Sequence, residues 1–364
     1  MTAGLYVHVP FFLTRCGYCD FNAHAGLDHL KGGYTEALRR EARQTAPAWE
    51  GLGFGSIFLG GGTPTTLSSA AIGSLLSSFR EAFDVAAGAE VTCEANPDSV
   101  DRSALEALRS AGVTRLSLGV QSFDLDVLAA LERVHRPESA RRAYADARAA
   151  GFDDVNLDLI YGAHGETTAS WRATLEETLS LAPDHVSAYA LTIEPGTPLG
   201  ARVASGAVPA PDPDVQAEMF EAACELLGAA GYRHYEVSNW ARPGRVCRHN
   251  LGYWEGRPYL GLGAGAHSYR DGRRWWNVRP PARYIELAGV DPTGGEERLD
   301  PDDLRLERLM LGIRLPGGVP LSWVAPEAAS EQVARGLARV RDGNLALTER
   351  GMLLANQVVL DLVG

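Results

Sequence analysis

Two thiols, spaced Cys16-Gly-Tyr-Cys19, are the residues of this 364-residue chain best placed to do chemistry. A C-x-x-C pair is either a redox-active dithiol or half of a metal or cluster site. The dithiol version expects the motif to open a helix within a βαβ unit. Here the pair follows a short apolar segment, Leu5–Pro10, in a loop-like stretch, and helical patterning resumes only near Tyr34. Both readings stand on spacing alone. An iron–sulfur cluster with one iron open to a small molecule needs three thiolates. Four residues before Cys16, where C-x-x-x-C-x-x-C would begin, the chain has Phe12. His8, Asp20 and His24 lie nearby and can bind iron, with His24 the first substitute, although thiolates are the usual cluster ligands. The other cysteines, at 93, 224 and 247, are too few and too scattered for a disulfide framework.

Further candidates recur along the chain. Gly60-Gly-Gly62-Thr63-Pro lets a backbone approach a ligand closely, or is a plain turn. Glu94 ends an apolar run, where a carboxylate is costly unless it meets water or a cation, and strand alternation turns Cys93 to the opposite face. Cys247-Arg-His249-Asn-Leu-Gly-Tyr253-Trp254 gathers an imidazole and two aromatic rings. It is either an anchored loop or a surface for a flat macrocycle, since imidazole is a common axial ligand of haem. Gly261-Leu-Gly-Ala-Gly-Ala-His267 offers a second histidine, as iron ligand or as hydrogen-bonding core residue. Glu236 reads as a structural hydrogen-bond partner.

These residues need a scaffold, and the pattern supplies one. Short apolar runs at Leu5–Pro10, Ser56–Leu59, Glu90–Ala95, Arg115–Val120, Val155–Ile160 and Val186–Leu191 alternate with helical stretches such as Tyr34–Thr45, a helix capped near Ser68, and Asp101–Ser110. This is the signature of repeated βα units and a parallel sheet. Unusual residues fall after each run: the cysteine loop, the glycine turn, Glu94-Ala-Asn96-Pro, Gln121-Ser-Phe, Asp158-Leu-Ile-Tyr-Gly and Tyr189-Ala190-Leu-Thr. Parallel barrels concentrate chemistry at the carboxyl ends of their strands. After Pro209-Ala-Pro-Asp-Pro213 the spacing predicts a helix over Asp214–Ala230 and a strand over Tyr232–Trp240. Beyond Asp302 it predicts helices over Leu304–Gly312 and Ala328–Asp342, a short strand, and a final apolar helix. The expected organisation is a partial (β/α)6 barrel over residues 1–210, an extension over 211–300 carrying the histidine segment, and a smaller α+β, winged-helix-like domain over 301–364.

Composition narrows the function. A net charge of −12 argues against a nucleic-acid partner. No apolar run reaches the ~20 residues that span a bilayer, and Met1–Pro10 lacks a basic n-region, so a cytoplasmic location is expected.

Tyr6-x-His8-x-Pro10-Phe11 followed by Cys16-x-Tyr18-Cys19-Asp20-Phe21 resembles the cluster loop of radical S-adenosylmethionine (SAM) proteins, in the oxygen-independent coproporphyrinogen III oxidase-like branch. Phe21 stands where the related oxidases carry a further cysteine, which favours the haem-chaperone (HemW-type) group, and H-N-x-x-Y-W at 249–254 is similar to that group. The family's first cluster cysteine aligns with Phe12. The resemblance implies a [4Fe–4S] cluster on Cys16 and Cys19, and SAM contacts from Tyr6, Tyr18, Gly62, Thr63, Glu94, Gln121, Arg133, Asp158 and Ala190. It also implies haem contact through His249. The implied partners are haem or porphyrin, a haem-acceptor protein and a peripheral membrane-associated partner. Haem delivery is the implied function. The alternatives are oxidative decarboxylation of porphyrinogen propionates and a cluster-free scaffold.

Overall fold

The computed structural model describes residues 2–363. Six parallel strands lie side by side in chain order: β1 (Ala3–Val9), β2 (Phe54–Gly61), β3 (Val85–Ala95), β4 (Arg115–Gln121), β5 (Val155–Tyr161) and β6 (His185–Ala190). Leu5, Val7 and Val9 are completely buried, as are Leu116, Leu118 and Val120. Strands covered on both faces read as apolar runs, which is why they were visible in the sequence. The crossovers are helices α1 (Lys31–Thr45), α2 (Ser69–Ala82), α3 (Arg102–Ser110), α4 (Leu125–Ala130), α5 (Pro137–Ala149) and α6 (Thr168–Leu181). Their starts follow side-chain chemistry. Ser68 accepts from the Ala71 N–H and Asp101 from the Ala104 N–H, caps worth about 1 kcal/mol each.

The sheet continues past both edges of this block. A short helix α7 (Pro198–Ala204) and the long α8 (Pro213–Ala229) lead to β7 (Arg233–Glu236) and β8 (Asn239–Ala241), a hairpin whose second strand runs antiparallel to β6. The single strand expected over Tyr232–Trp240 is therefore two, turned at Val237-Ser238. On the other side, after α9 (Arg248–Trp254), β9 (Tyr259–Leu262) joins β1 in parallel. The antiparallel strands β10 (His267–Arg270), β11 (Arg273–Asn277) and β12 (Thr293–Arg298) follow, with α10 (Pro281–Leu287) between the last two. The result is a twelve-stranded mixed sheet with a parallel block consistent with a partial TIM-type barrel.

A second apolar cluster, including Leu309, Ile313, Val319, Leu345 and Val358, lies in the last sixty residues. It is built from α11 (Pro301–Gly312), α12 (Pro326–Ala334), α13 (Glu349–Leu353), α14 (Ala355–Val363) and an antiparallel sheet of β13 (Val319–Pro320), β14 (Ala338–Arg341) and β15 (Asn344–Leu347). The helix expected over Ala328–Asp342 stops at Ala334. Gly336 sits at φ +72°, with its N–H bonded to Val333 and the Leu337 N–H to Gln332, a left-handed helix stop that sends the chain into β14.

Candidate functional site at the carboxyl ends of the parallel strands

The cysteine loop folds back over the strand ends. Pro10 and Phe11 carbonyls bond the His24 and Thr63 N–H groups, and the Gly62 N–H donates to Val9 O at 2.9 Å. A Cβ on Gly62 would stand 2.6 Å from Phe11 O and 2.8 Å from Val9 O, so close approach of the two turns requires glycine there. With the Gly61 N–H given to Glu94, three successive donors of the glycine turn are used inside the protein. Cys16 and Cys19 are both buried and unpaired as disulfide. Phe12 is half-buried and pairs with Ala25, while Leu13 and Phe21 are exposed. Among the described residues, no three histidine, cysteine, aspartate or glutamate side chains gather closely enough to hold a metal ion. His24 therefore does not complete a three-ligand set with the two thiols. Its Nε2 is buried without a partner.

Arg133 ties this loop to the barrel. Nη1 lies 3.6 Å from Cys16 Sγ, while Nη2 donates to Asn96 Oδ1 and to Gly119 O. Asn96 Nδ2 in turn donates to Thr63 Oγ1 at 2.8 Å. Thr63, Arg133 and Cys16 thus form one chain through Asn96. Asn96, marked in the sequence only as part of a strand-end segment, also caps the turn over Pro97–Ser99 together with the Ser99 side chain. Gln121 ends β4 with φ +65°, strained for a residue with a side chain, and its amide lies over Gly119. Tyr18 is half-buried beside Arg133 and both thiols, and burial pushes its hydroxyl pKa up. Ala190, the last residue of β6, is exposed and pairs with Tyr161.

Tyr6, Glu94, Asp158 and His249 surround a separate inner cavity of about 130 Å³ within the barrel. Burial, reinforced by Asp158, pushes Glu94 up to about 8 despite the Gly61 N–H. Asp158 is also raised by burial, against hydrogen bonds from Ser117 and Asn156. Cys93 faces the apolar core instead. His249 is 4% exposed, with Nδ1 2.9 Å from Ser56 Oγ and Nε2 2.9 Å from Tyr253 Oη, and burial lowers it to about 3. Both ring nitrogens are hydrogen-bonded within the protein, so ligation of iron by this imidazole would have to displace Ser56 or Tyr253. The spacing of H-N-x-x-Y-W could not reveal this, because Ser56 lies 193 residues away. Glu236 holds Ser238, Asn239 and Asn250, a structural part in the hairpin.

Tyr6, Glu94 and Tyr253 also line an adjoining, wider cavity of about 620 Å³. Its wall includes Phe21 and Asn22 of the cysteine loop, Tyr259, His267, Trp276 and Arg279. Asn22 fastens the loop there. Its Nδ2 donates to Ala264 O and Arg279 O, and its carbonyl accepts from His8 Nε2. His8 then accepts from Tyr6 Oη through Nδ1.

Residues 10–178 match the radical SAM superfamily. The chain is 45% identical to the heme chaperone HemW of Mycobacterium tuberculosis, over 99% of this chain and 95% of that one. It is 33% identical to HemW of Bacillus subtilis, over 97% of each. Among solved structures it resembles coproporphyrinogen III oxidase (HemN) from Escherichia coli, with a TM-score of 0.86 at 25% identity, covering 99% of this chain and 90% of that one. The chain belongs to the radical SAM superfamily, in the family of the heme chaperone HemW.

Proposed function

We propose that the protein binds haem at the carboxyl-end mouth of its barrel and hands it to an acceptor protein, with SAM held beside it. The observation that carries this is the wide cavity. Its volume of about 620 Å³ lies within the roughly 300–1,000 Å³ of small-molecule sites, and five aromatic side chains, Tyr6, Phe21, Tyr253, Tyr259 and Trp276, wall it. Such a surface suits a flat apolar macrocycle. The relatives named as heme chaperones supply the cargo.

The family implies SAM and a [4Fe–4S] cluster, and the residues suit the two unequally. For SAM they fit. Glu94 is a half-buried carboxyl with no ion-pair partner among the described residues, whose ionised form a sulfonium or ammonium would stabilise. The glycine turn has spent its N–H donors, so an ammonium would meet its carbonyls. Arg133, Asn96 and Thr63 form a fixed polar wall for a carboxylate or ribose. For a three-thiolate cluster they do not fit, because Cys16 and Cys19 are two ligands and Phe12 stands in the third place. The thiol pair is then an incomplete iron anchor, and haem handling rests on the cavity rather than on radical chemistry.

The second reading, oxidative decarboxylation of a porphyrinogen, draws on the likeness to HemN. Bound SAM would there supply a radical on reductive cleavage. Two assays on anaerobically reconstituted protein separate the readings. Haem binding without porphyrinogen turnover supports the chaperone, and turnover with SAM cleavage supports the oxidase. Neither activity would leave only the scaffold.

A further inference from the structure

Four histidines lie at or near the cysteine loop and the barrel mouth, and three are unsuited to hold a haem iron in the wide cavity. His249 has both nitrogens bonded, to Ser56 and Tyr253. His8 has both bonded, to Tyr6 and Asn22. His24 does not line the cavity. His267 does line it, is exposed, and among the described residues has no hydrogen bond to either ring nitrogen.

Its position is built. His267 and Trp276 are cross-strand partners on β10 and β11, with ring centroids 5.4 Å apart at an interplanar angle of 25°. Trp276 lies so close over Gly295 of β12 that a Cβ there would stand 2.6 Å from its ring. The imidazole is thus stacked on an indole that is itself backed by a strand. Desolvation, with Arg274 and Arg279 nearby, lowers the His267 pKa, which keeps the ring neutral and its lone pair available. Arg279, on the same rim, is exposed and has no ion-pair partner among the described residues.

We propose that His267 is the axial ligand to the iron of haem seated in this cavity, and that Arg279 takes a propionate carboxylate at its solvent edge. This rests on the haem-binding reading above. A planar guanidinium matches a carboxylate bidentately, and imidazole is a common haem ligand.

The test is titration of the full-length protein with haemin, followed by the Soret band and by electron paramagnetic resonance. Wild type is expected to give an imidazole-ligated spectrum. His267→Ala should lose that signature, and His267→Cys should replace it with a thiolate-type one, a change that a purely structural role would not produce. Arg279→Glu should weaken binding about two- to five-fold, the range of an exposed ion pair, without moving the band. If wild type binds no haem, the chaperone reading itself fails. If wild type binds and both His267 variants keep its spectrum and affinity, the ligand assignment is overturned while haem binding stands.

Discussion

Arg133 Nη1 stands 3.6 Å from Cys16 Sγ while the same guanidinium holds Asn96 and Gly119 at the ends of β3 and β4. One side chain therefore joins the thiol loop to the strand ends that form the proposed SAM wall. Replacing Arg133 by alanine removes charge-assisted bonds worth about 1.5–3 kcal/mol each. The expected result is faster amide exchange across residues 11–24, with the barrel strands unchanged. Unchanged exchange in that loop would show that Arg133 does not restrain it.

Phe12 occupies the place of a third thiolate. Anaerobic reconstitution of the wild-type chain should give substoichiometric iron and sulfide, and Phe12→Cys should raise both. Iron and sulfide analysis per chain checks this. A full four-iron complement in the unsubstituted protein would contradict it.

Glu94 sets a pH dependence. Its carboxyl pKa is raised to about 8 by burial and Asp158, so the unliganded site holds a proton at pH 7. A cationic ligand needs the carboxylate, so binding must release that proton. SAM affinity should therefore rise with pH up to about 8 and then level. Calorimetry in buffers of different ionisation enthalpy should detect up to one proton released near pH 7. The linked stability has the opposite sense. A raised folded pKa favours the fold at low pH, and this contribution declines as pH climbs from about 4.5 to 8. Glu94→Gln should flatten both trends.

Gly62 lies against two backbone carbonyls. Gly62→Ala places a Cβ within 2.8 Å of both, and neither is a flexible side-chain end. A loss of about 1–3 kcal/mol is expected from such overpacking, with weaker SAM binding, measured by denaturant unfolding and ligand titration. An unaltered midpoint would mean that the loop moves aside freely.

Local patterns made the barrel legible. Runs such as Leu5-Tyr-Val-His-Val9 give strands because both faces are covered, and Ser68 and Asp101 mark helix starts by capping. Long-range partnerships were not legible. His249 was expected to meet haem, yet Ser56 and Tyr253 take its nitrogens, and no local spacing brings Ser56 beside it. The roles of Asn96, Asn22, Trp276 and Arg279 were missed for the same reason, since they come from loops and strands paired across the sheet. The helix expected over Ala328–Asp342 ended early because Gly336 was read as a residue within it rather than as its stop.

The most direct test of the central claim is haem binding measured alongside porphyrinogen turnover, on one anaerobic preparation supplied with SAM and reductant. The expected result is a stable haem complex and no decarboxylated porphyrinogen. Sustained turnover without haem binding would contradict it.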